Sequence, residues 1–254
     1  MKTPAAFLID IDGVLHVGPQ PVDGAFEAID TLRDADIGFR LVTNTTSMSR
    51  RLVIERLNGM GFDLSEDDVL TPAAPALALC RDRGWDDVAV HVTDAMAEDF
   101  SALGQSSDEP DAVIVGDLGS GFTYDRMNTM FRQLESGAQL IALQRNRFWQ
   151  DEGGLVLDAG VFVVALEYAT GGDSIVTGKP SPEFFAAALD QLGVKAEDAA
   201  MIGDDLEADV GGAMDAGLAG LLVRTGKFRQ EKLTASDIEP TLVIDSIGEL
   251  PELL

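Results

Sequence analysis

Ala5-Ala6-Phe7-Leu8-Ile9-Asp10-Ile11-Asp12-Gly13-Val14-Leu15 is the stretch that decides how this chain is read. Five apolar residues of strand length run directly into two carboxylates and a glycine. In an extended segment, residues two apart point to the same side. Asp10 and Asp12 can therefore face one pocket at the strand's carboxyl end, where open α/β sheets bind ligands. Gly13 lets the chain turn sharply there. Two adjacent carboxylates repel unless a cation or a shared proton relieves them, which suggests Mg2+ held by oxygen ligands. In a chain with 29 Asp the bare Asp-x-Asp pattern is weak; the strand before it and the glycine after it give it weight.

Outward from this strand the pattern repeats. Short apolar runs at 39–43, 88–92, 112–115, 139–143, 174–176, 199–202, 220–223 and 241–244 read as further strands. Amphipathic stretches at 26–35, 49–60, 73–83, 94–103, 124–136, 161–169, 182–192 and 209–216 read as helices between them. Strands alternating with helices predict parallel sheets covered on both faces. The expected class is α/β, with a Rossmann-like doubly wound parallel-sheet core. Residues 1–72 and 177–254 would share this core, and 73–176 would form an inserted α/β domain.

Three later strand ends carry polar groups. Leu41-Val42-Thr43-Asn44 places a hydroxyl and an amide where they can donate to phosphoryl oxygens or simply cap the loop. Gly178-Lys179-Pro180-Ser181-Pro182 sets one of only five lysines just before a helix, with Ser181 as N-cap and Pro182 in the first turn. Met201-Ile202-Gly203-Asp204-Asp205, with Asp209 four residues on, is a second switch from strand to carboxylates. Together they supply a nucleophilic carboxylate, an acid-base carboxylate, phosphoryl donors, a lysine and a metal site, each once. A carboxylate attacking a phosphate dianion needs this set, because both reactants are anionic.

The composition narrows the partners. The 254 residues hold 44 Asp plus Glu against 18 Lys plus Arg, a net charge of −26, with 46% hydrophobic residues. The apolar fraction is ample for a buried core. The charge opposes binding of nucleic-acid phosphates or anionic lipid through a broad basic surface, so an anionic substrate must be bound locally. The excess of acidic groups is spread along the chain and fits a salt-rich cytoplasm where short Debye lengths screen self-repulsion. Cys80 is the single cysteine, so no internal disulfide forms, and it reads as a small apolar helix residue. Lys2 followed by the short 5–9 run is too brief for a signal segment, and no apolar run approaches the ~18 residues of a membrane span. A cytoplasmic location is expected.

With these motifs in order, the chain resembles the haloacid dehalogenase-like (HAD) phosphatases. Asp10-Ile11-Asp12-Gly13, Thr43-Asn44, Lys179 and Gly203-Asp204-Asp205 with Asp209 match the four motifs of that superfamily. Ala165-Leu166-Glu167-Tyr168-Ala169, the Gly178–Phe185 stretch, Asp209-Val210-Gly211-Gly212-Ala213 and Arg224-Thr225-Gly226-Lys227 are similar to subfamily IIA. That is the branch with a large second-type (C2) cap, and it includes phospholysine phosphohistidine inorganic pyrophosphate phosphatase. The resemblance implies Asp10 as the nucleophile that becomes aspartyl-phosphate and Asp12 as general acid and then base. It implies Thr43 and Asn44 on the phosphoryl group and Lys179 neutralising nucleophile and phosphate. It further implies Mg2+ on the Asp10 side chain, the Asp12 carbonyl and Asp204, with Asp205 and Asp209 in support. Some members of the branch carry Ser at the position of Asp12. Asp here favours hydrolysis of phosphomonoesters of small soluble metabolites over pyrophosphate or phosphoamide chemistry.

Only nine residues separate Gly13 from Asp23, room for a hairpin, whereas 134 lie between Asn44 and Lys179. The cap must be the second insertion. Within it Gln144-Arg145-Asn146-Arg147-Phe148-Trp149 is the local cluster able to face an anion, so Arg145 and Asn146 contact substrate or belong to a surface hairpin with its arginines solvated or paired. His16 either approaches the leaving group or packs, and His91 is a strand residue. The Met127, Met130, Phe131 and Leu134 stripe is core or an interface to a second copy through the cap. A phosphomutase, a receiver-like signalling module and a non-catalytic phosphate-binding scaffold are the competing readings.

Overall fold

Apolar runs buried along their whole length form the strands that place the site. In the computed structural model, which describes residues 3–151 and 153–254, Ala6–Asp10 is buried at all five positions, so both faces are covered. Lys2 lies outside the described residues. The chain divides into two compact units, one of Met1–Thr43, Ile54–Leu70 and Lys179–Leu254, the other of Asn44–Val53 and Thr71–Gly178.

In the first unit six strands pair in the order Leu242–Ile244, Ala219–Val223, Ala199–Gly203, Ala6–Asp10, Gly38–Val42 and Val69–Leu70, every pairing parallel. The chain leaves Ala6–Asp10 to one side for Gly38–Val42 and later arrives on its other side as Ala199–Gly203. That reversal is a topological switch point, and crevices form there at the carboxyl ends of the strands. The unit is a doubly wound α/β sheet, as expected. Its helices show why they form: Ala25–Asp34 buries Ala25, Ala28, Ile29 and Leu32 on one stripe. Pro182–Leu192 begins on its proline, buries Phe184, Phe185, Ala188 and Leu189, and stops at a left-handed Gly193. Ser181 occupies the N-cap position, but its hydroxyl donates to the Glu183 carboxylate instead of accepting a backbone N–H.

The second unit holds a four-stranded parallel sheet in the order Ile175–Val176, Gln139–Ala142, Ala112–Val115, Val88–His91. Alternate residues serve opposite faces. Val88, Ala112, Ile114 and Ile141 pack with Ala73, Ala76 and Cys80 of the Ala73–Arg83 helix. Ala89, Val113, Val115 and Leu140 pack with Met130 and Leu134 of Tyr124–Glu135 and with Val163 and Leu166 of Ala159–Thr170. The methionine stripe is thus core, and Cys80 is a buried apolar residue. Phe148–Asp151 and Gly154–Leu157 form an antiparallel hairpin.

Three differences from the sequence reading have local causes. Residues 44–53, 71–72 and 177–178, assigned above to the core, group with the second unit. Ser49 donates to Glu98 at 2.6 Å, the Arg50 N–H to Asp99 at 3.0 Å, and the Asp117 N–H to Thr46 at 2.9 Å. The helix expected at 94–103 is one 3-10 turn, Ala97–Phe100, whose Glu98 and Asp99 make the first two of those contacts. The helix expected from 209 starts earlier, as a π-helical turn Leu206–Gly211 capped by Asp205, which accepts the Glu207 and Ala208 N–H groups. Among the described residues, no helix is long and apolar enough to cross a membrane.

Candidate active site

Three loops of the first unit converge at the carboxyl ends of its central strands. Asp10 ends Ala6–Asp10, Asp204 follows Ala199–Gly203, and Asp209 lies in the π-helical turn that begins two residues later. All three carboxylates are buried, and one oxygen from each falls within 4.8 Å of the others. Lys179, equally buried, reaches between them: its Nζ donates to Asp10 Oδ1 at 2.6 Å and lies 2.7 Å from Asp209 Oδ1.

The charges at this centre do not balance. Three carboxylates against one ammonium leave an excess of two negative charges when all are ionised. Burial, and then repulsion from Asp209, pushes Asp10 well above the ordinary carboxylate range despite Lys179. Burial and Asp209 likewise push Asp204 up to about 7. Burial alone would drive the Lys179 ammonium down, but Asp10 and Asp209 outweigh it and hold the lysine above its usual value. The Lys179 ammonium holds its charge because it sits between two carboxylate oxygens. The raised carboxylates express the missing positive charge. Asp204 Oδ1 is buried with no hydrogen-bond partner among the described residues. An orphaned buried carboxylate oxygen in an all-oxygen cluster with a deficit of two charges is what a hard divalent cation satisfies, so the residues fit such an ion.

Glycines and a late loop lock Asp204 in place. Gly13 at φ +95° and Gly226 at φ +59° both lie against it, and a Cβ on either would overlap its carboxylate. The Lys227 N–H donates to Asp204 Oδ2 at 2.6 Å, and the Thr225 hydroxyl donates to the Gly13 carbonyl at 2.5 Å. The sequence reading gave the 224–227 loop no part in the site. Its signal was present, a Gly-Lys step three residues beyond the end of the Ala219–Val223 strand. Asp209 Oδ2 accepts the Asp205 N–H at 3.1 Å, while Asp205 caps the turn, lies 3.5 Å from the Lys227 Nζ and is held below its ordinary pKa.

The remaining candidates are placed as follows. Asp12 is not one of the three clustered carboxylates; its side chain meets Arg56 and His16 and is half-exposed. His16 pairs with Pro21 in the His16–Val17/Gln20–Pro21 hairpin, and its imidazole is buried. Burial lowers its pKa, with Arg56 adding to the effect against Asp12. Thr43 is buried at the end of Gly38–Val42, its N–H on the Leu70 carbonyl. Asn44, Arg145 and Asn146 belong to the second unit. There Arg145 pairs with Glu167 at 2.6 Å, and the Asn146 N–H donates to Gln144, whose amide donates to Asp158. His91 is half-buried on Gln133.

Comparisons with known proteins give the family. Residues 7–106 match a family described as haloacid dehalogenase-like hydrolase, and residues 176–250 match a HAD-hydrolase-like family. The chain is 42% identical over 241 residues to human haloacid dehalogenase-like hydrolase domain-containing protein 2, covering 95% of this chain and 92% of the relative. It is 38% identical over 255 residues to bovine phospholysine phosphohistidine inorganic pyrophosphate phosphatase, covering 97% and 93%. Among solved structures, a p-nitrophenyl phosphatase from Archaeoglobus fulgidus superimposes with a TM-score of 0.91 at 28% identity, over 99% of this chain and all of that one. The chain belongs to the haloacid dehalogenase-like hydrolases.

Proposed function

We propose that this chain is a Mg2+-dependent phosphatase that hydrolyses phosphomonoesters of small metabolites through an aspartyl-phosphate on Asp10, its inserted unit being a second-type cap. The observation that carries the proposal is the buried Asp10, Asp204 and Asp209 cluster, tied by one lysine and short of two positive charges. Mg2+ would be held by Asp10, Asp204 and the Asp12 carbonyl, with Asp209 holding Lys179 and the Asp205 N–H. When bound, the ion supplies positive charge to the phosphoryl oxygens and the nucleophile.

The chain's own groups account for the bonds. An Asp10 carboxylate oxygen attacks phosphorus; the new O–P bond forms as the bond to the leaving oxygen breaks, and that oxygen takes its proton from Asp12. Water then attacks the same phosphorus and gives its proton to the Asp12 carboxylate. The Asp10–phosphorus bond breaks, inorganic phosphate departs and both aspartates return to their starting forms. Lys179 favours the ionised form of Asp10 for attack and would face the incoming dianion, and the Thr43 hydroxyl would donate to a phosphoryl oxygen.

Phosphate release from a panel of alkyl and aryl phosphomonoesters, pyrophosphate and phosphoamides tests this, with Mg2+ or EDTA, in dilute buffer and in molar KCl. Monoester turnover that EDTA stops is expected. Release from pyrophosphate or phosphoamides alone would move the reading to the activities in the bovine relative's name, and no release from folded protein would overturn it.

The charge deficit has a pH signature. Asp204 titrates near 7 in the folded chain against an ordinary value of 3.8. Below the ordinary value both states hold the proton. As pH rises toward 7, only the unfolded chain releases it, so stability is lost across that window and stays lost above it. A cation on Asp204 removes this penalty. Mg2+ should therefore raise the thermal midpoint by at least about 3 °C at pH ~8 and by clearly less at pH ~5. In Asp204→Asn the difference between the two pH values should disappear. Equal shifts at both pH values in the parent protein would remove Asp204 from the metal site.

A further inference from the structure

Asp12 lies in the turn after the central strand with its side chain 48% exposed. A carboxylate so placed has several rotamers open to it, whereas a proton donor must sit within about 0.5 Å of its productive position. Arg56 of the Arg50–Gly59 helix meets it: Nη2 donates to Asp12 Oδ1 at 3.0 Å and lies 2.8 Å from His16 Nε2. A guanidinium has no acceptor, so His16 Nε2 must be the acceptor of that contact. The single ring proton is then on Nδ1, which donates to the Gly18 carbonyl at 2.9 Å. His16 is thereby a neutral, buried prop whose tautomer is fixed by the hairpin backbone. Arg56 Nε is buried with no partner among the described residues, so the guanidinium forgoes a bond of its own while Nη2 serves both Asp12 and His16.

We propose that Arg56, braced by the neutral His16, is the positioning residue for the Asp12 proton transfer. The pair holds the carboxylate in one orientation while the leaving oxygen is protonated. The inference rests on the reading of Asp12 as the acid, and it assigns a role to two residues outside the motif set. Neither touches phosphorus or the carboxylate cluster. Their effect must therefore appear where a proton has to be delivered, and only weakly where it does not.

Leaving-group dependence separates the cases. A nitrophenolate departs without a proton, whereas an alkoxide needs one. Because kcat/KM covers the steps up to loss of the leaving group, Arg56→Ala should lower kcat/KM for β-glycerophosphate by roughly 10–100-fold. For 4-nitrophenyl phosphate the fall should be no more than about threefold, and KM for β-glycerophosphate should stay within about twofold. Arg56→Lys should recover part of the loss, and His16→Phe should repeat the selective loss at smaller size, which keeps the test open if Arg56→Ala does not fold. Asp12→Ala run beside them distinguishes the two levels. If Asp12→Ala is selective for the alkyl ester and the Arg56 and His16 variants are not, the positioning role is overturned and the phosphatase reading stands. If Asp12→Ala loses both substrates equally, the acid role itself falls, and the positioning role with it.

Discussion

Asp10→Asn should yield a folded protein whose turnover is down by at least about 10⁴-fold. An amide has nearly the shape of the carboxylate but not its nucleophilicity, so no aspartyl-phosphate can form. The same change should not weaken the fold. Burial and the neighbouring Asp209 both oppose ionisation of Asp10, and the neutral isostere removes one carboxylate from the buried cluster, in which Lys179 reaches Asp10 and Asp209. In EDTA the thermal midpoint of Asp10→Asn should equal or exceed that of the parent. The two measurements together are diagnostic, because an ordinary core lesion lowers stability and activity alike. Residual turnover above about 1% of the parent rate would exclude Asp10 as the nucleophile.

Lys179→Met is expected to do the reverse to stability. Its ammonium is the cation seen within hydrogen-bond distance of both Asp10 and Asp209, and its removal leaves those carboxylates buried without it. Breaking a buried pair from one side costs about 3–5 kcal/mol. For a chain of this size that corresponds to a fall of roughly 6–20 °C in the midpoint. The sign with pH follows from the carboxylates. Burial already holds the Asp10 carboxyl well above the ordinary range, so as pH falls its protonation removes one of the two charges that faced the ammonium, and the deficit should shrink in acid and be largest above neutrality. Activity should fall with stability, by about 10²-fold or more, since the attacking oxygen and the incoming phosphate both lose their counter-charge. Midpoints matching the parent across pH would show that Lys179 does not carry the charge of this centre.

Much of this centre was legible in the sequence because its residues stand where strands end, and apolar runs mark strand ends sharply. Asp10, Thr43 and Asp204 each follow such a run, and Lys179 stood out because lysine is scarce. Arg56 was invisible for the opposite reason. It is one charged residue on an amphipathic helix, and only the fold shows that it faces Asp12. Gly226 and Lys227 were seen as a family-like stretch, yet their task depends on Gly13 lying opposite, more than two hundred residues away in sequence. The two-residue strand Val69–Leu70 is too short for any alternation to register. Residues 94–103 have the spacing of a helix, Met96 and Phe100 being buried four apart, but one 3-10 turn buries that pair equally well and leaves Glu98 and Asp99 to bind 49–51.

The pairing of Ala6–Asp10 with Ala199–Gly203 also sets a timetable. Ala6 is opposite Ala199, so the first strand made occupies the middle of the sheet and waits for a neighbour synthesised almost two hundred residues later. At cellular elongation speeds that interval is roughly 10–40 s. For that time an apolar strand has no partner on one edge, and Asp10 has neither Lys179 nor Asp204 beside it. Residues 71–178, continuous in sequence and carrying their own parallel sheet, emerge within the same interval. A ribosome that stalls before residue 179 therefore releases a chain with an exposed strand edge and no chemistry, and pairing across that edge is its route to aggregation.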